Sequence, residues 1–138
     1  MNPRAIIVIA SLFIGGTMIA YYLQPSQSEP GYGEPMVSVS LPRFSLLEKT
    51  GEELYNASCA ACHGVDVRGQ EGIAPSLIDA IYQPKFHADG AFYIAVQNGV
   101  RAHHYGFGSM PPIEGVDSED VAAIIAYIRA IQRENGIE

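Results

Sequence analysis

Both cysteines of this chain, Cys59 and Cys62, are separated by two alanines and followed directly by His63. Two thiols on one helical turn can each add to a vinyl group of the same porphyrin, and the adjacent imidazole can then ligate the iron. A dithiol redox pair would not need the histidine, and a zinc site needs a second pair of ligands at finger-like spacing, which the sequence lacks. The motif therefore predicts one haem c, attached covalently through the two cysteines, with His63 as an iron ligand.

The second axial ligand of the iron has to come from another part of the chain, and Met110 is the main candidate. Met1 and Met18 lie in an apolar N-terminal segment, and Met36 lies in a proline-rich segment. Met110 lies in a polar Gly-Phe-Gly-Ser-Met-Pro-Pro loop, where a methionine is poorly explained as ordinary core. We expect its thioether to complete a six-coordinate iron with a positive reduction potential.

Three histidines are alternatives to this ligand or neighbours of the cofactor. His103 and His104 precede Met110 by seven and six residues, and either would give a bis-histidine iron of lower potential. Adjacent loop histidines are more often exposed to solvent. His87 is expected at the surface or near a haem propionate.

Arg101 stands just before the loop that carries the methionine. A cation there could pair with a haem propionate, and Tyr93 and Tyr105 could donate hydrogen bonds nearby. A plain surface role for each of these side chains is the alternative. We carry Arg101 as a predicted contact of the cofactor.

Three helices are predicted to position these residues. Residues 45–57 have helix-forming composition and lead into the cysteine motif, and residues 90–97 form a second helix that stops at an Asn-Gly breaker. The last helix begins with Ser118 as its N-cap. Its apolar residues recur at helical spacing: Val121, Ile124, Ile125, Ile128 and Ile131. Residues 65–85 contain glycines and prolines and should wrap the cofactor as loop and short turns.

Taken together, these features resemble the class I, single-haem cytochromes c, in a membrane-anchored bacterial form. The resemblance covers about the last ninety residues and depends on four pieces in the expected order. They are Gly51 with Tyr55, the motif of residues 59–64, the Ala-Pro-Ser-Leu of residues 74–77, and the Ser-Met-Pro-Pro of residues 109–112. It implies an all-α class I cytochrome c fold, with three or more helices wrapped around one haem, in residues 44–138.

The same resemblance assigns roles to individual residues. It implies that the carbonyl of Pro75 accepts the Nδ1 hydrogen of His63 and so fixes the orientation of the ring. It also implies that Gly51 lets the last helix cross closely, with Tyr55 and Tyr127 filling the corner. A haem closed by His63 and a methionine exchanges one electron and performs no bond chemistry, so we expect an electron carrier and not an enzyme.

An uncharged apolar segment, residues 5–23, precedes this domain. Its nineteen residues would span roughly 28 Å as a helix, close to the ~30 Å of a bilayer core. A cleaved signal usually has a shorter apolar region and a small residue two positions before the cleavage site, where Ala20 finds Met18. We therefore predict a permanent single-pass anchor in residues 1–24, in contact with lipid through residues 5–23. Arg4 at its start places the haem domain in the periplasm, outside a bacterial inner membrane.

Residues 25–43 are predicted to be a linker, because they are rich in proline and glycine and show no apolar period. Such a segment can let a tethered haem swing between neighbours, or it can lie along one of them, and the sequence leaves both open. Seven basic and fifteen acidic residues follow the anchor, a net charge of −8. That sign excludes nucleic acid as a partner and favours a basic docking surface on the partner protein.

Three functions remain open at this stage. The first is a membrane-anchored carrier that passes electrons between respiratory or photosynthetic complexes, with a quinol-oxidising complex, a terminal oxidase or a photosynthetic reaction centre as partner. The second is a fixed haem subunit of one such complex. The third is a haem enzyme or ligand-binding protein, which requires an open sixth position on the iron.

Overall fold

The structure is a computed structural model that describes residues 34–103 and 106–138. These two ranges contain four α-helices: α1 Leu46–Ser58, α2 Ala60–His63, α3 Asp89–Asn98 and α4 Ser118–Glu134. Two short 3-10 turns, Val65–Val67 and Ala80–Tyr82, lie in the predicted loop. Within these ranges the extended backbone pairs only at isolated bridges, so the described part of the chain is helical, as predicted.

Helix α1 carries the chain into the cysteine motif. Ser45 caps it in a reciprocal capping box: its hydroxyl accepts from the amide of Glu48 at 3.4 Å, and the Glu48 carboxylate accepts from the amide of Ser45 at 2.7 Å. At its other end the amide of Cys59 donates to the carbonyl of Tyr55 at 2.8 Å. Cys59 lies between α1 and α2 with non-helical angles, φ −122° and ψ −34°, so the cysteine motif begins at a break between the two helices.

Helices α1 and α4 cross at Gly51. A Cβ atom at this glycine would lie 2.0 Å from the carbonyl oxygen of Ala123, so no larger residue fits at this approach. The ring centroids of Tyr55 and Tyr127 are 5.4 Å apart, and those of Phe44 and Tyr127 are 5.2 Å apart. Tyr55 and Tyr127 are fully buried. The predicted glycine crossing with its aromatic corner is therefore confirmed.

Helix α4 begins one residue earlier than predicted, because its N-cap is Asp117 and not Ser118. The Asp117 carboxylate accepts from the amides of Glu119 and Asp120 at 2.8 and 3.0 Å, and the Asp120 carboxylate accepts from the amide of Asp117 at 3.2 Å. This box satisfies three backbone donors, whereas a serine cap accepts at one oxygen. Ser118 becomes the first helical residue.

Helix α3 packs on α4 through a second, smaller apolar cluster. Val96 of α3 and Val121 and Ile125 of α4 form its buried part. The helix ends at Gly99, whose φ of 70° and ψ of −179° are accessible essentially to glycine alone. This glycine turns the chain towards the loop that carries Met110.

The described part of the predicted linker is packed on the helical unit. The amide of Ser40 donates to Asn135 Oδ1 at 2.9 Å, and Asn135 Nδ2 donates back to the Ser40 carbonyl at 2.8 Å. Farther towards the N-terminus, the amide of Glu71 donates to the carbonyl of Glu34 at 3.1 Å. Residues 34–40 therefore lie along the domain at both ends.

In the part of the chain that the structure describes, no helix combines the length and the apolar character needed to cross a bilayer. The predicted membrane segment, residues 5–23, lies outside the described residues, as do residues 25–33 of the predicted linker.

Candidate functional site

A cavity of about 650 Å³ is lined by residues from all four helices and from the loops between them. Its lining is mainly apolar, and its volume is in the range of cofactor sites. All six residues that the sequence proposed for the cofactor line this one cavity: Cys59, Cys62, His63, Pro75, Arg101 and Met110. The fold therefore brings together side chains that are up to fifty residues apart in the sequence.

His63 is oriented by one hydrogen bond. Its Nδ1 lies 3.0 Å from the carbonyl oxygen of Pro75. Because a carbonyl oxygen can only accept, Nδ1 must carry the proton, and Nε2 keeps a free lone pair for a metal. Burial lowers the pKa of His63 below its usual value, and the bond to Pro75 opposes part of that shift. The net shift of this pKa is downward, which favours the neutral ring, the form that ligates iron.

The two cysteines are free thiols at the cavity wall, Cys62 exposed and Cys59 partly buried. Burial, with a smaller contribution from Cys62, raises the pKa of the Cys59 thiol to about 11. Neither sulfur is held in a disulfide, so both are available for thioether bonds. Their separation by one turn matches the requirement set by the sequence motif.

The turn after His63 is held in an unusual backbone conformation. Asp66 and Val67 both have positive φ, 57° and 59°, a region that costs a residue with a side chain on the order of 1–3 kcal/mol. The turn is closed by the amide of Gly69, which donates to the His63 carbonyl at 2.7 Å. The hydroxyl of Tyr55 donates to the Gly64 carbonyl at 3.0 Å in the buried interior. Surrounding contacts thus hold a strained turn directly beside His63.

Gln70 is a site residue that sequence reasoning missed. It is 1 % exposed, and its Nε2 donates to the carbonyls of Ala60 and Ala61 at 3.0 and 2.8 Å. These carbonyls belong to the two residues between the cysteines, and that of Ala60 also accepts from the amide of Gly64 at 2.9 Å. A glutamine in a glycine-rich loop gives no sequence signal for this role, because its partners are set by how the loop folds back.

Met110 is presented by a short backbone pairing. Its amide donates to the carbonyl of Val100 and its carbonyl accepts from the amide of Val100, each at 2.9 Å. The amide of Ile113 donates to the carbonyl of Val96 at 2.9 Å, which ties the loop to α3. These bonds bring the Met110 side chain to the same cavity as His63.

Some of the alternative ligands and predicted polar neighbours also line the cavity. His87 and His103 both line the cavity. His87 Nδ1 lies 2.7 Å from the carbonyl of Ile81, and the exposed His103 places Nδ1 2.6 Å from the carbonyl of Arg101. Arg101 is itself exposed at the cavity rim.

The remaining predicted neighbours do not line the cavity in the described residues. Tyr93 packs against the smaller apolar cluster of α3 and α4. His104 and Tyr105 lie outside the described residues.

The residues present fit a haem. The cavity offers an apolar lining, two free thiols one turn apart, and an imidazole whose Nε2 is left for the metal. Met110 lines the same space. When bound, a haem supplies a reversible one-electron couple, and the chain's residues hold and shield it.

Comparison with known proteins assigns the family. A family model described as Cytochrome c matches residues 48–132, more than half of the chain. This range includes the cysteine motif, Pro75 and Met110 and nearly all of α1 and α4.

Several curated relatives are subunits of membrane redox complexes. The chain is 29 % identical over 131 residues to the cytochrome bc1 complex cytochrome c subunit of Mycobacterium tuberculosis, covering 94 % of this chain and 41 % of the relative. It is 31 % identical over 97 residues to the Mycobacterium leprae protein of that name, covering 70 % of this chain and 31 % of the relative. It is 26 % identical over 80 residues to the cbb3-type cytochrome c oxidase subunit CcoP of Helicobacter pylori, covering 58 % of this chain and 26 % of the relative.

The chain spans about two fifths of the length of the Mycobacterium tuberculosis relative and less of the other two. The alignment with the Mycobacterium tuberculosis protein covers 131 residues, so it extends beyond the residues 48–132 matched by the family model. The chain belongs to the cytochrome c family, and its cofactor is a covalent haem c with Cys59 and Cys62 as the attachment pair.

Proposed function

We propose that this cytochrome c is a membrane-anchored one-electron carrier whose haem iron is ligated by His63 and Met110. The observation that carries the proposal is the single cavity in which a neutral, oriented imidazole and the Met110 side chain meet next to the two attachment thiols. An iron closed by both ligands has no free position, so it exchanges an electron and forms no new bond. The thioether favours the ferrous state and a positive reduction potential.

The ligand assignment is tested by replacing Met110 with alanine. The sulfur-to-iron band of the oxidised protein in the near infrared should disappear, and the reduced protein should bind carbon monoxide rapidly. Met36→Ala is the matched control, because it removes a thioether that does not line the cavity. A band that survives in Met110→Ala would reject the assignment and point to another thioether as the ligand. If the unmodified protein lacks the band, loss of bis-histidine character in His103→Ala would identify His103 as the ligand.

The partner is a membrane redox complex, either a quinol-oxidising complex or a terminal oxidase. The support comes from relatives whose names place them in a bc1 complex and a cbb3-type oxidase, which favours respiratory partners over a photosynthetic reaction centre. The net charge of −8 beyond the predicted anchor favours a basic docking surface on that partner. Electron transfer to it should therefore slow as ionic strength rises.

The membrane part of the proposal depends on the sequence. Residues 5–23 would anchor the chain in a bacterial inner membrane with the haem domain in the periplasm. Two measurements test this. The full chain should stay in the membrane pellet after alkaline carbonate extraction, and protease added to intact spheroplasts should cut the haem domain. Release by carbonate, or protection from protease, would contradict the proposed topology.

A fixed subunit of such a complex is the second candidate, and the packing of residues 34–40 on the domain favours it. Those residues are held through Glu71 and Asn135, so only the part of the linker before residue 34 remains to span the distance to the anchor. A shorter tether restricts the domain to partners close to the membrane surface. Purification after mild solubilisation separates the two cases: a fixed subunit appears with its complex in constant stoichiometry, and a mobile carrier does not.

A further inference from the structure

Helix α4 carries a buried cation, Arg129, which has no role in the proposed haem attachment or iron ligation. The residue is 7 % exposed. Its guanidinium donates to Asp89 Oδ1 at 2.9 Å, to the carbonyl of Tyr82 at 2.7 Å, to the carbonyl of His87 at 2.5 Å and to Gln132 Oε1 at 2.6 Å. A planar fork with several donors is the group best suited to such a set of acceptors.

The groups that Arg129 holds belong to the wall of the haem cavity. Tyr82 and His87 line the cavity, and so does Phe92, whose ring centroid lies 5.0 Å from the guanidinium carbon. The guanidinium therefore lies one side-chain layer behind the cavity. It ties the 3-10 turn and the start of α3 to α4, so it also fixes the position of this part of the wall.

The charge of Arg129 is only partly compensated. Of its four hydrogen-bond partners, Asp89 is the one that carries a charge, and the side chain of Asp89 is 62 % exposed whereas that of Arg129 is 9 % exposed. A solvated carboxylate is screened by water and salt, while a buried cation keeps most of its field in the low-dielectric interior. The cavity wall therefore experiences a net positive potential from this pair.

We propose that Arg129 is a positioning residue that also raises the reduction potential of the haem. The oxidised haem carries one more positive charge than the reduced haem, so a cation behind the wall destabilises the oxidised state. The negative charge of Asp89 opposes this rise in the reduction potential and limits its size. The two residues together form a charge pair that tunes the cofactor without touching the iron.

The test is a spectroelectrochemical titration of the full haem-loaded chain, at low ionic strength, for four variants. Arg129→Met keeps the apolar stem and removes the charge. The equilibrium constant for reduction of the haem by a fixed donor should therefore fall by roughly twofold to tenfold. This is the range expected for the loss of one unit charge at effective dielectric constants between 80 and 20. Arg129→Lys keeps the charge and should hold the potential near that of the wild type while losing stability. Asp89→Asn should shift the potential in the opposite direction, by a smaller factor.

Arg133→Met is the matched control, because Arg133 lies one turn farther along the same helix with a 58 % exposed side chain. It should leave the potential unchanged. Equal potentials for Arg129→Met and Arg129→Lys would show a packing role alone and overturn the proposal. If Arg129→Met fails to fold, Asp89→Asn decides, because this exposed change should preserve folding: a higher potential supports the proposal, and an unchanged or lower one refutes it.

Discussion

The two parts of the chain that carry the proposed iron ligands, His63 and Met110, are held in different ways. The histidine wall, residues 59–77, is fixed by buried bonds: Ser76 Oγ and the Leu77 amide both donate to the Val67 carbonyl at 3.0 Å, and Gln70 binds the backbone between the cysteines. The methionine loop, residues 99–113, is largely exposed in its described residues (99–103 and 106–113), and the paired bonds of Val100 and Met110 hold it.

This difference follows from what each part has to do. Covalent attachment needs two thiols and an imidazole in one fixed arrangement, so the histidine wall stores backbone strain and surrounds it with buried bonds. A thioether ligand can be delivered by a loop that closes on the finished haem. We therefore expect damage to the histidine wall to appear as lost stability, and damage to the methionine loop to appear first in the spectrum of the iron.

The largest effect is expected for Gly69→Ala in the histidine wall. Gly69 has φ of 73°, and a Cβ there would lie 2.4 Å from the backbone nitrogen of Ser76 and 2.8 Å from the sulfur of Met36. Conformational strain and overpacking together should lower the free energy of unfolding by about 3 kcal/mol or more. Guanidinium unfolding of the haem-loaded protein, followed by circular dichroism, measures it.

Gly72→Ala is the control for this change, because Gly72 has the same φ of 73° and nothing within 4 Å of the added atom. It should cost only the conformational term of about 1 kcal/mol. If both variants lose the same free energy of unfolding, the close packing around Gly69 does not stabilise the histidine wall. The proposed difference between the two parts of the chain would then be wrong.

Gln70→Leu should have the next largest effect. The leucine fills a similar space but removes the two bonds from Gln70 Nε2 to the carbonyls of Ala60 and Ala61, at 3.0 and 2.8 Å. Each lost hydrogen bond costs roughly 1 kcal/mol, so we expect a loss of about 2 kcal/mol. The exposed Gln97 of α3 provides the control, since Gln97→Leu should change stability by less than about 0.5 kcal/mol. Thermal unfolding of both variants is the measurement, and indistinguishable midpoints would show that the glutamine amide is dispensable.

Gly99→Ala tests the methionine loop. Gly99 has φ of 70°, and an added Cβ would lie 2.5 Å from the carbonyl oxygen of Met110. Because the loop can yield, we expect a loss of about 1–2 kcal/mol, less than in the histidine wall, together with a weakened sulfur-to-iron band. The control is Gly115→Ala, which has φ of 77° and open space and should keep the band. A larger stability loss than that of Gly69→Ala would reverse the comparison.

Ser109→Ala should have the smallest effect of this series. It removes the acceptor for the Ala102 amide, which lies 3.1 Å from Ser109 Oγ in an exposed part of the loop. Water can replace the hydroxyl, so stability should change by less than about 0.5 kcal/mol. Ser76→Ala is its counterpart in the histidine wall, where the hydroxyl is buried and donates at 3.0 Å, and it should cost more. Equal losses would indicate that burial does not distinguish the two parts.

The sequence predicted most of the helices correctly, because the strongest signals for a helix are local. The apolar spacing of α4 and the helix-forming composition of residues 45–57 are properties of short segments, and both predicted helices in nearly the right place. The start of α4 was misplaced by one residue because Asp117 and Ser118 are both good caps, and only the bonds of Asp117 select between them. The packing of residues 34–40 had no sequence signal, because these residues lack an apolar period.

The sequence by itself determined the cofactor. Two thiols and an imidazole within five residues specify haem attachment whatever surrounds them, since the distance between them is fixed by one helical turn. The tertiary structure decided what surrounds that cofactor. Arg129 reaches the Tyr82 carbonyl across 47 positions and Asn135 reaches Ser40 across 95. Such contacts depend on which faces the helices bury against each other, a property of the packed chain that no short segment encodes.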